Sequence, residues 1–546
     1  MTTPPNVLLV ICDDLGWADP GCHGNPYAQT PTLDRLYRES VRCNRHCSGP
    51  LCSPARASLM TGRYHQRTRV IDTYLGRSMM DPSETTLAHC FRAAGYRTGM
   101  FGKWHLGDNP PNRPIDLGFE ECLMHLAGGI GQPGDLPANR GRDSYFDPML
   151  MHNGTEVTSS GYCSDIFADA AGEWITNGDE RPWFSYLGFN APHSPLHVPD
   201  EWLEKFKHLE IPEKWQRLYA MNANLDAAIG RILERLDQTG QRDQTLVIFT
   251  SDHGPCGSAS SNGIDRPKNG LRGRKGQLYE GGIRVPHWWS LPGTLPAGTS
   301  ISVPTHPIDV LPTLCAACNL PAPHEQPIDG TSLWPSMTTG AEIEPRQLFM
   351  QWHRGDVPVF NRNYAVIEDS YKLTRPHEDE ADELYDLAHD PFERDDLATA
   401  QPEIVQRLRQ DYATWFESIG GHDPANFAPP PIVIDQEGVL LTRNDWRIHG
   451  EDGWSDQHFG HWEVHCATAR CRRISVRFSS ERAGPITLCI DGNQQQVPCT
   501  GAVSEPVEVE LAAGPHVLSA WDDSSEQRCA ALYIEVEPSA AVAMET

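Results

Sequence analysis

The sequence lacks any long hydrophobic run. None of its 546 residues belongs to an uninterrupted apolar stretch of about 18 residues or more, the length that a membrane-spanning helix needs. Residues 1–5 also lack the basic segment and apolar segment of a secretory leader. We therefore expect no membrane partner and a cytoplasmic protein. The alternative is a periplasmic or secreted protein from which a leader has been removed.

Positive charge is scarce. The chain has 45 Lys and Arg against 73 Asp and Glu, a formal net charge of −28. Such a surface repels nucleic acid and anionic membranes, so we expect neither as a partner. A small anionic substrate would need a local group of cations. The sequence offers one set over residues 56–105: Arg56, Arg63, Arg67, Arg69, Lys103 and His105.

The chain has 16 cysteines, scattered over its length. This distribution excludes a small disulfide scaffold and favours reduced, partly buried thiols. Cys315 and Cys318 form a C-x-x-C pair in a segment with a helical pattern. Because no second pair accompanies them, we favour ordinary buried thiols over a metal or redox site.

Four largely apolar segments predict parallel strands that are covered on both faces. They are residues 6–12, 98–101, 183–189 and 245–250, and polar residues follow each of them. Helical patterns lie between the segments. Because ligand-binding groups collect at the carboxyl ends of strands in open α/β sheets, these four ends predict one shared site.

The length suits two or three domains. From about residue 346, short alternating segments predict antiparallel strands, and a proline-rich stretch at 427–431 predicts a linker. We predict a catalytic α/β domain at 1–345, a smaller α+β subdomain at 346–428 and an all-β sandwich module at 436–546. The module could bind sugars, buttress the core or form an oligomer interface. Sugar stacking would suit its tryptophans, Trp446, Trp454, Trp462 and Trp521.

Two pairs of polar residues end two of the predicted strands. Asp13 and Asp14 follow the first, and Asp252 and His253 follow the last. Carboxylates at strand ends suit a hard divalent cation, whereas the imidazole is a softer donor. The alternative is a structural role, in which Asp13 and Asp14 cap a helix and Asp252 and His253 form a turn.

Residues 51–63 carry the most specific motif. Cys52, Pro54 and Arg56 are followed by a Thr-Gly-Arg turn. This arrangement resembles the signature of the formylglycine-dependent sulfatases, in the alkaline-phosphatase-like superfamily. In that family a formylglycine-generating enzyme oxidises the cysteine to an aldehyde, and its hydrate is the nucleophile. The residues alone would also allow Cys52 to act as a thiolate, activated by Arg56 and a helix N-terminus.

The resemblance implies that Cys52 is converted to formylglycine and that one divalent cation is bound, with Ca²⁺ favoured over Mg²⁺. Its ligands would be Asp13, Asp14, Cys52, Asp252 and His253. The family usually has asparagine at the position of His253, so this residue departs from the pattern.

Further motifs extend the resemblance over roughly residues 6–400. Lys103 and His105 match a Gly-Lys-x-His motif, His193 follows Asn-Ala-Pro, and Lys275 matches a second lysine. The resemblance implies that both lysines contact sulfate, that His105 fixes the hydrated aldehyde and that His193 contacts the sulfate or the leaving oxygen. His193 or Lys275 would be the general acid. Arg56 would position the aldehyde, and Asp252 would accept its proton. Trp104 and Arg274 are further candidates for substrate contact.

The resemblance implies an α/β fold, with an alkaline-phosphatase-like core, and a sulfuric ester hydrolase. We expect a sulfated carbohydrate as the preferred substrate, although an aryl or alkyl sulfate also fits. Two alternatives stay open: a phosphonate monoester or phosphodiester hydrolase with the same aldehyde and metal, and a catalytically dead carbohydrate-binding protein. An oligomer is possible. Specificity would come from loops at 65–80, 125–160 and 255–275.

Overall fold

The computed structural model describes residues 4–141, 143–256, 266–267, 269–321, 323, 326–435, 438–455, 457–522 and 529–539. Residues 257–265 and 268 of the predicted specificity loop at 255–275 lie outside this set. No helix in the described part of the chain has the length and apolar character needed to cross a bilayer. No disulfide links the cysteines of the described residues.

The first part of the chain alternates strands and helices, as the apolar segments predicted. The strands are β1 (Asn6–Cys12), β2 (Val41–Cys43), β3 (Arg97–Lys103), β4 (Glu121–His125), β5 (Met149–His152), β6 (Thr155–Thr158), β7 (Trp183–Gly188), β8 (Thr245–Ser251), β9 (His287–Ser290) and β10 (Ser300–Ile301). The helices are α1 (Pro31–Glu39), α2 (Cys52–Thr61), α3 (Leu87–Ala93), α4 (Cys163–Thr176), α5 (Asp200–Leu203), α6 (Glu213–Gln238), α7 (Glu280–Ile283), α8 (Val310–Cys318) and α9 (Trp334–Thr339).

These ten strands form one sheet in the order β10-β2-β9-β8-β1-β7-β3-β4-β5-β6. The five strands from β8 to β4 are mutually parallel, and the antiparallel pairs lie toward the two edges. The predicted mostly parallel sheet is thus confirmed. Alternate residues of β1 enter two different cores, Val7 and Leu9 on one face and Leu8 and Val10 on the other. Burial on both faces explains why the strand is apolar throughout.

The carboxyl ends of the central strands meet at one edge of the sheet. Cys12 pairs with Ser251, so the residues that follow β1 and β8 start side by side. Lys103 is the last residue of β3. Gly102 and Gly188 pair in β3 and β7. This edge therefore collects the polar residues that the sequence placed after separate strands.

The second part of the chain is an antiparallel sheet with one long helix. Its strands are β11 (Gln347–Gln351), β12 (Tyr364–Glu368), β13 (Tyr371–Arg375) and β14 (Glu383–Asp386), and its helix is α10 (Pro402–Ser418). A buried ion-pair group joins it to the first part. Lys372 of β13 lies 3.1 Å from Glu280 of α7 and 2.8 Å from Glu393.

The third part is a sandwich of a seven-stranded and a five-stranded sheet. Its strands are β15 (Ile432–Ile434), β16 (Val439–Thr442), β17 (Arg447–His449), β18 (Phe459–Cys466), β19 (Arg470–Arg482), β20 (Ile486–Ile490), β21 (Asn493–Val497), β22 (Gly501–Val503), β23 (Val507–Leu511), β24 (Gly514–Asp522), β25 (Cys529–Ala530) and β26 (Tyr533–Pro538). The first strand precedes residue 436, where we had placed the start of the module.

The sandwich module packs directly on the first part of the chain. Leu75 and Met79 belong to the hydrophobic core of the module, although they lie far earlier in the sequence. The Gly76 amide donates to the Asn444 carbonyl oxygen at 2.7 Å, and the Tyr533 hydroxyl donates to the Asp135 carbonyl oxygen at 2.5 Å. Apolar and polar contacts together fix the module against the segment at 72–80.

Gly102 allows β3 and β7 to approach closely beside Lys103. Its φ is +99°, and an added Cβ would lie 2.0 Å from the Gly188 carbonyl oxygen. We expect Gly102→Ala to lower the free energy of unfolding by roughly 3 kcal/mol, because it adds overpacking to an unfavourable φ. Gly95 is the matched control, since its φ is +84° and nothing lies within 4 Å of its added Cβ. Gly95→Ala should cost only about 1 kcal/mol. Equal shifts in urea denaturation midpoints would contradict this account.

Candidate active site

Cys52 lies at the centre of the polar edge of the sheet. It begins α2, a helix in which every residue is buried and which ends at Gly62 with φ +70°. The Cys52 Sγ atom is 3.1 Å from His253 Nε2 and 3.7 Å from Asp13 Oδ1. The structure therefore places the cysteine of the sequence motif against both pairs of strand-end residues.

Four potential ligand groups converge here. One atom each from Asp13, Cys52, Asp252 and His253 lie within 4.8 Å of one another, and all four residues are buried. Asp14 lies beside this group, with its Oδ1 atom 3.4 Å from His253 Nδ1. Its φ is +68°, an unusual backbone conformation for an aspartate, which turns the chain sharply after Asp13.

Three cations pair with the three carboxylates. Lys103 Nζ is 2.6 Å from Asp13 Oδ2, and Lys275 Nζ is 2.8 Å from Asp14 Oδ1. Arg56 donates to Asp252 Oδ2 from Nε at 3.1 Å and from Nη2 at 2.9 Å. A buried carboxylate is costly unless it is paired, so each cation offsets the cost of one anion.

Arg56 is held by more than its carboxylate partner. Its Nη1 group donates to the Lys103 carbonyl oxygen and to the Tyr186 hydroxyl, both at 2.9 Å. The guanidinium therefore ties α2 to β3, β7 and the end of β8. Sequence reasoning did not single out Tyr186, because a tyrosine within a buried strand carries no local signal of a polar role.

The local charges shift the pKa values of the central groups. Burial opposes ionisation of Cys52, but the ammonium groups of Lys103 and Lys275 outweigh burial and lower its pKa to about 5. Burial likewise opposes ionisation of Asp13, yet Lys103 and His193 hold its pKa well below its usual range. For His253, burial disfavours the cation, but Asp252 prevails and raises the pKa to about 9. The charges at this edge of the sheet therefore stabilise the ionised forms of Cys52, Asp13 and His253.

His105 has a different environment. Burial and the nearby Lys103 ammonium hold its pKa well below its usual range, so the ring is neutral. Its Nε2 atom lies 2.7 Å from the Thr73 carbonyl oxygen, and only a protonated nitrogen can donate to that acceptor. Nδ1 is then an acceptor, and it is buried without a hydrogen-bond partner among the described residues. It is available to a donor on a bound group.

The donor set fits a divalent cation. Three carboxylates meet within a few ångströms, and oxygen ligands of this kind suit Ca²⁺ or Mg²⁺. The His253 imidazole is a softer ligand in an otherwise hard set. It would bind a metal ion only in its neutral form, after loss of the proton that Asp252 favours. The Nδ1 atom of His105, which has no hydrogen-bond partner among the described residues, suits a hydroxyl donor in the cavity that His105 and Cys52 both line. The residues present are thus compatible with both a metal ion and a hydrated aldehyde at position 52.

A cavity of about 320 Å³ opens above Cys52. Its lining comes from all three parts of the chain: Leu51, Cys52, Thr73, Tyr74, His105, Gly128, Gln132, His193, Lys275, Arg354 and Trp454. Four predicted site residues are therefore on its surface, at 52, 105, 193 and 275. His193 Nε2 lies 3.9 Å from Asp14 Oδ2, so its ring borders both the cavity and the carboxylates.

Two predicted substrate contacts lie elsewhere. Trp104 is fully buried in the core, where its Nε1 group donates to the Asn112 carbonyl oxygen at 3.0 Å. The prediction for Trp104 is wrong because its side chain points away from the cavity that its neighbour His105 lines. Arg274 is exposed and is not among the residues that line the cavity. Lys275, the next residue, reaches the site instead.

The local group of cations at the site is smaller than the sequence predicted. Arg63 pairs with Glu84, Arg67 with Asp329 and Arg69 with Asp81. Each of these three guanidinium groups therefore forms an ion pair with a carboxylate outside the Cys52 site. Lys103, Lys275 and Arg56 supply the positive charge at Cys52.

Of the four module tryptophans that suited sugar stacking, three are buried in the protein. They are Trp446, Trp462 and Trp521, with exposed fractions of 1%, 1% and 8%. Trp454 is half-buried and lines the cavity.

Arg354 also lines the cavity, but the sequence analysis did not identify it. It lies just after β11 in the second part of the chain and matches no motif.

Comparison with known proteins identifies the family. The model of the sulfatase family matches residues 5–320, and that of the C-terminal region of N-sulphoglucosamine sulphohydrolase matches residues 274–415. The chain belongs to the sulfatase family. Human arylsulfatase A is 31% identical over 460 residues, which cover 74% of this chain and 87% of that protein. Human N-acetylgalactosamine-6-sulfatase is 30% identical over 375 residues, which cover 65% of this chain and 69% of that protein.

Solved structures of other proteins share the fold. The structure of Ps i-CgsB in complex with k-i-k-neocarrahexaose is 26% identical, with a TM-score of 0.69. It covers 78% of this chain and 95% of that chain. Phosphonate monoester hydrolase of Agrobacterium radiobacter, at 23% identity and a TM-score of 0.53, is similar in fold alone. The protein is therefore a sulfuric ester hydrolase with an alkaline-phosphatase-like core, and both family models end before the sandwich module.

Proposed function

We propose that this sulfatase hydrolyses a sulfate ester of a carbohydrate, with Cys52 converted to formylglycine and Ca²⁺ bound beside it. One observation carries the proposal: the Cys52 side chain lies at the meeting point of Asp13, Asp252 and His253, at the bottom of an open cavity. Conversion would require a formylglycine-generating enzyme as a partner during maturation.

The choice of carbohydrate is supported by relatives. One is named N-acetylgalactosamine-6-sulfatase, and one family model is named for N-sulphoglucosamine sulphohydrolase. The structure of Ps i-CgsB holds a neocarrahexaose. The cavity also mixes polar groups with aromatic rings, as a sugar requires: Thr73, Gln132 and Arg354 lie with Tyr74 and Trp454.

The proposed ligands of the cation are Asp13, Asp14, Asp252 and His253, together with the modified side chain at position 52. When bound, the cation supplies positive charge against the transferring sulfuryl group, and the hydrated aldehyde supplies the oxygen nucleophile. The hard oxygen donors and the three carboxylates favour Ca²⁺ over softer metals.

The remaining residues bind the anion and position the nucleophile. Lys103 and Lys275 place two ammonium groups next to Cys52, where they would offset the negative charge of sulfate in the transition state. Arg56, buried and held by three partners, fixes the start of α2. His105 accepts a hydrogen bond through Nδ1 and keeps the hydrated side chain in one orientation.

We assign the general acid to His193. Lys275 Nζ is occupied by Asp14 at 2.8 Å, whereas His193 Nε2 is 3.9 Å from the nearest carboxylate oxygen and lies on the cavity wall. The Nδ1 group of His193 donates to the Ser194 carbonyl oxygen at 2.5 Å, so Nε2 carries a proton only in the imidazolium form. That imidazolium would give its Nε2 proton to the departing alcohol oxygen, which otherwise leaves as an unstable alkoxide.

Cys52→Ala tests the nucleophile. Protein that has matured with a formylglycine-generating enzyme should release sulfate from sulfated mono- or oligosaccharides, and mass spectrometry should show the aldehyde at position 52. Cys52→Ala should lose essentially all of this activity, because no oxygen nucleophile can form. Full activity in that variant, or an intact thiol in active protein, would contradict the mechanism.

Faster turnover of an aryl phosphonate ester than of any sulfate ester would favour the phosphonate hydrolase alternative, and no turnover of either would favour the non-catalytic binding protein.

Calcium dependence tests the metal. Protein treated with EDTA should lose sulfate release, and Ca²⁺ should restore it better than Mg²⁺. Ca²⁺ should also raise the thermal midpoint, since a ligand at about 100 times its Kd stabilises the folded state by about 2.7 kcal/mol. Asp252→Asn should abolish that shift, whereas Asp379→Asn, a carboxylate that is 89% exposed, should preserve it. A calcium-induced shift that survives Asp252→Asn would count against this site.

Substrates with different leaving groups test His193. We expect His193→Gln to reduce kcat for a sulfated sugar by about 10² to 10⁴, the usual contribution of a general acid. The loss should be much smaller for a nitrophenyl sulfate, whose leaving group needs no proton. The ratio of the two rates within the same variant provides the control. Equal losses on both substrates would assign His193 to sulfate binding instead.

A further inference from the structure

The sandwich module contributes a side chain to the catalytic cavity. Trp454 lies between β17 and β18, about 400 residues from Cys52 in sequence, yet both line the same space. The Trp454 ring meets the Tyr74 ring edge to face, with centroids 4.9 Å apart and planes at 75°. An aromatic surface therefore forms one side of the cavity.

A cation completes this surface. The Arg354 guanidinium lies 4.5 Å from the centre of the Tyr74 ring and 3.2 Å from Asp72 Oδ2. Its side chain remains 43% exposed, and it lines the cavity. We call Tyr74, Arg354 and Trp454 the aromatic wall. Each member comes from a different part of the chain.

The wall is anchored by polar contacts of the segment that follows Tyr74, which include the buried Arg77 side chain. Arg77 pairs with Asp452 at 2.6 and 2.9 Å, two residues before Trp454. Gly76 is hydrogen-bonded to Asn444 of the module. These contacts tie the segment that follows Tyr74 to the segment that precedes Trp454, so the two rings are held together before any ligand arrives. A preformed surface of this kind loses little conformational entropy on binding.

The chemistry of the wall suits a sugar ring. Trp454 offers an aromatic surface for the C–H groups of the ring, and Tyr74 supports Trp454 and Arg354 from behind. Arg354 offers N–H donors for the hydroxyls of the sugar. Lys103, Lys275 and His193 gather around Cys52 at the other end of the site. The cavity volume of about 320 Å³ is enough for a sulfate group and the sugar ring that bears it.

We propose that Trp454 of the sandwich module is a substrate-binding residue and that, with Tyr74 and Arg354, it forms the subsite for the sugar ring that carries the sulfate. This inference rests on the proposed function. The module is then part of the active site. The aromatic wall would bind the alcohol half of the substrate, whereas Lys103 and Lys275 would bind the sulfate.

Kinetics on Trp454→Ala test the proposal. The KM for a sulfated monosaccharide should rise about tenfold, as the loss of one aromatic stacking surface predicts. The inhibition constant of inorganic sulfate should not change, because sulfate lacks the sugar ring. Trp454→Phe should recover part of the loss. Val517→Ala, at a module side chain that is 42% exposed, should leave both constants unchanged.

Two results would overturn the proposal. One is an unchanged KM in Trp454→Ala. The other is a parallel rise in KM and in the inhibition constant of sulfate, which would show that Trp454 only supports the segment that contacts His105. Thermal midpoints identify any variant that fails to fold, and Trp454→Leu, which keeps more of the side-chain volume, then replaces the alanine variant.

A binding experiment separates this proposal from the proposed function. Calorimetry on Cys52→Ala measures the affinity for the sulfated monosaccharide without turnover. Trp454→Ala in that background should weaken binding about tenfold, and unchanged affinity would defeat the subsite. Absence of sulfate release by the matured wild-type protein from every sulfated sugar would instead defeat the proposed function.

Discussion

The balance between buried anions and cations at the carboxyl edge of the sheet is the constraint on which the site depends. Asp13, Asp14 and Asp252 are buried, and a buried carboxylate is costly without a partner. Lys103, Lys275 and Arg56 provide those partners at 2.6 to 2.9 Å. Because these groups come from the ends of β1, β3 and β8, from α2 and from the loop before α7, the charge balance also fixes the relative positions of those segments.

This local balance explains how a strongly acidic protein can act on an anion. The net charge of −28 disfavours long-range attraction of a sulfate ester. Several arginines near the sequence motif are paired with acids of their own, so they do not form a wide basic surface around it. Recognition therefore relies on the two lysines beside Cys52 and on contacts with the rest of the substrate, for which the cavity provides an aromatic wall.

Most of the fold could be predicted from the sequence because the central strands are buried on both faces. Such strands need apolar residues at every position, and β1, β7 and β8 stand out for that reason. The motif at Cys52 and the strand-end pairs were equally visible, since they are short and local. Trp104 was misplaced because adjacent residues at a strand end point in opposite directions, and the motif alone does not show which of them faces the substrate.

The sequence by itself determined the family, the α/β core and the residues that gather at Cys52. Short motifs are enough for these features, because each motif occupies a few consecutive residues at a strand end, a helix start or a loop. Only the tertiary structure decided which surface faces the alcohol half of the substrate. Tyr74, Arg354 and Trp454 are separated by about 100 residues or more from one another, and no periodicity connects them. Their contact arises from packing of the sandwich module on the segment at 72–80, and packing of distant surfaces leaves no local pattern in the chain.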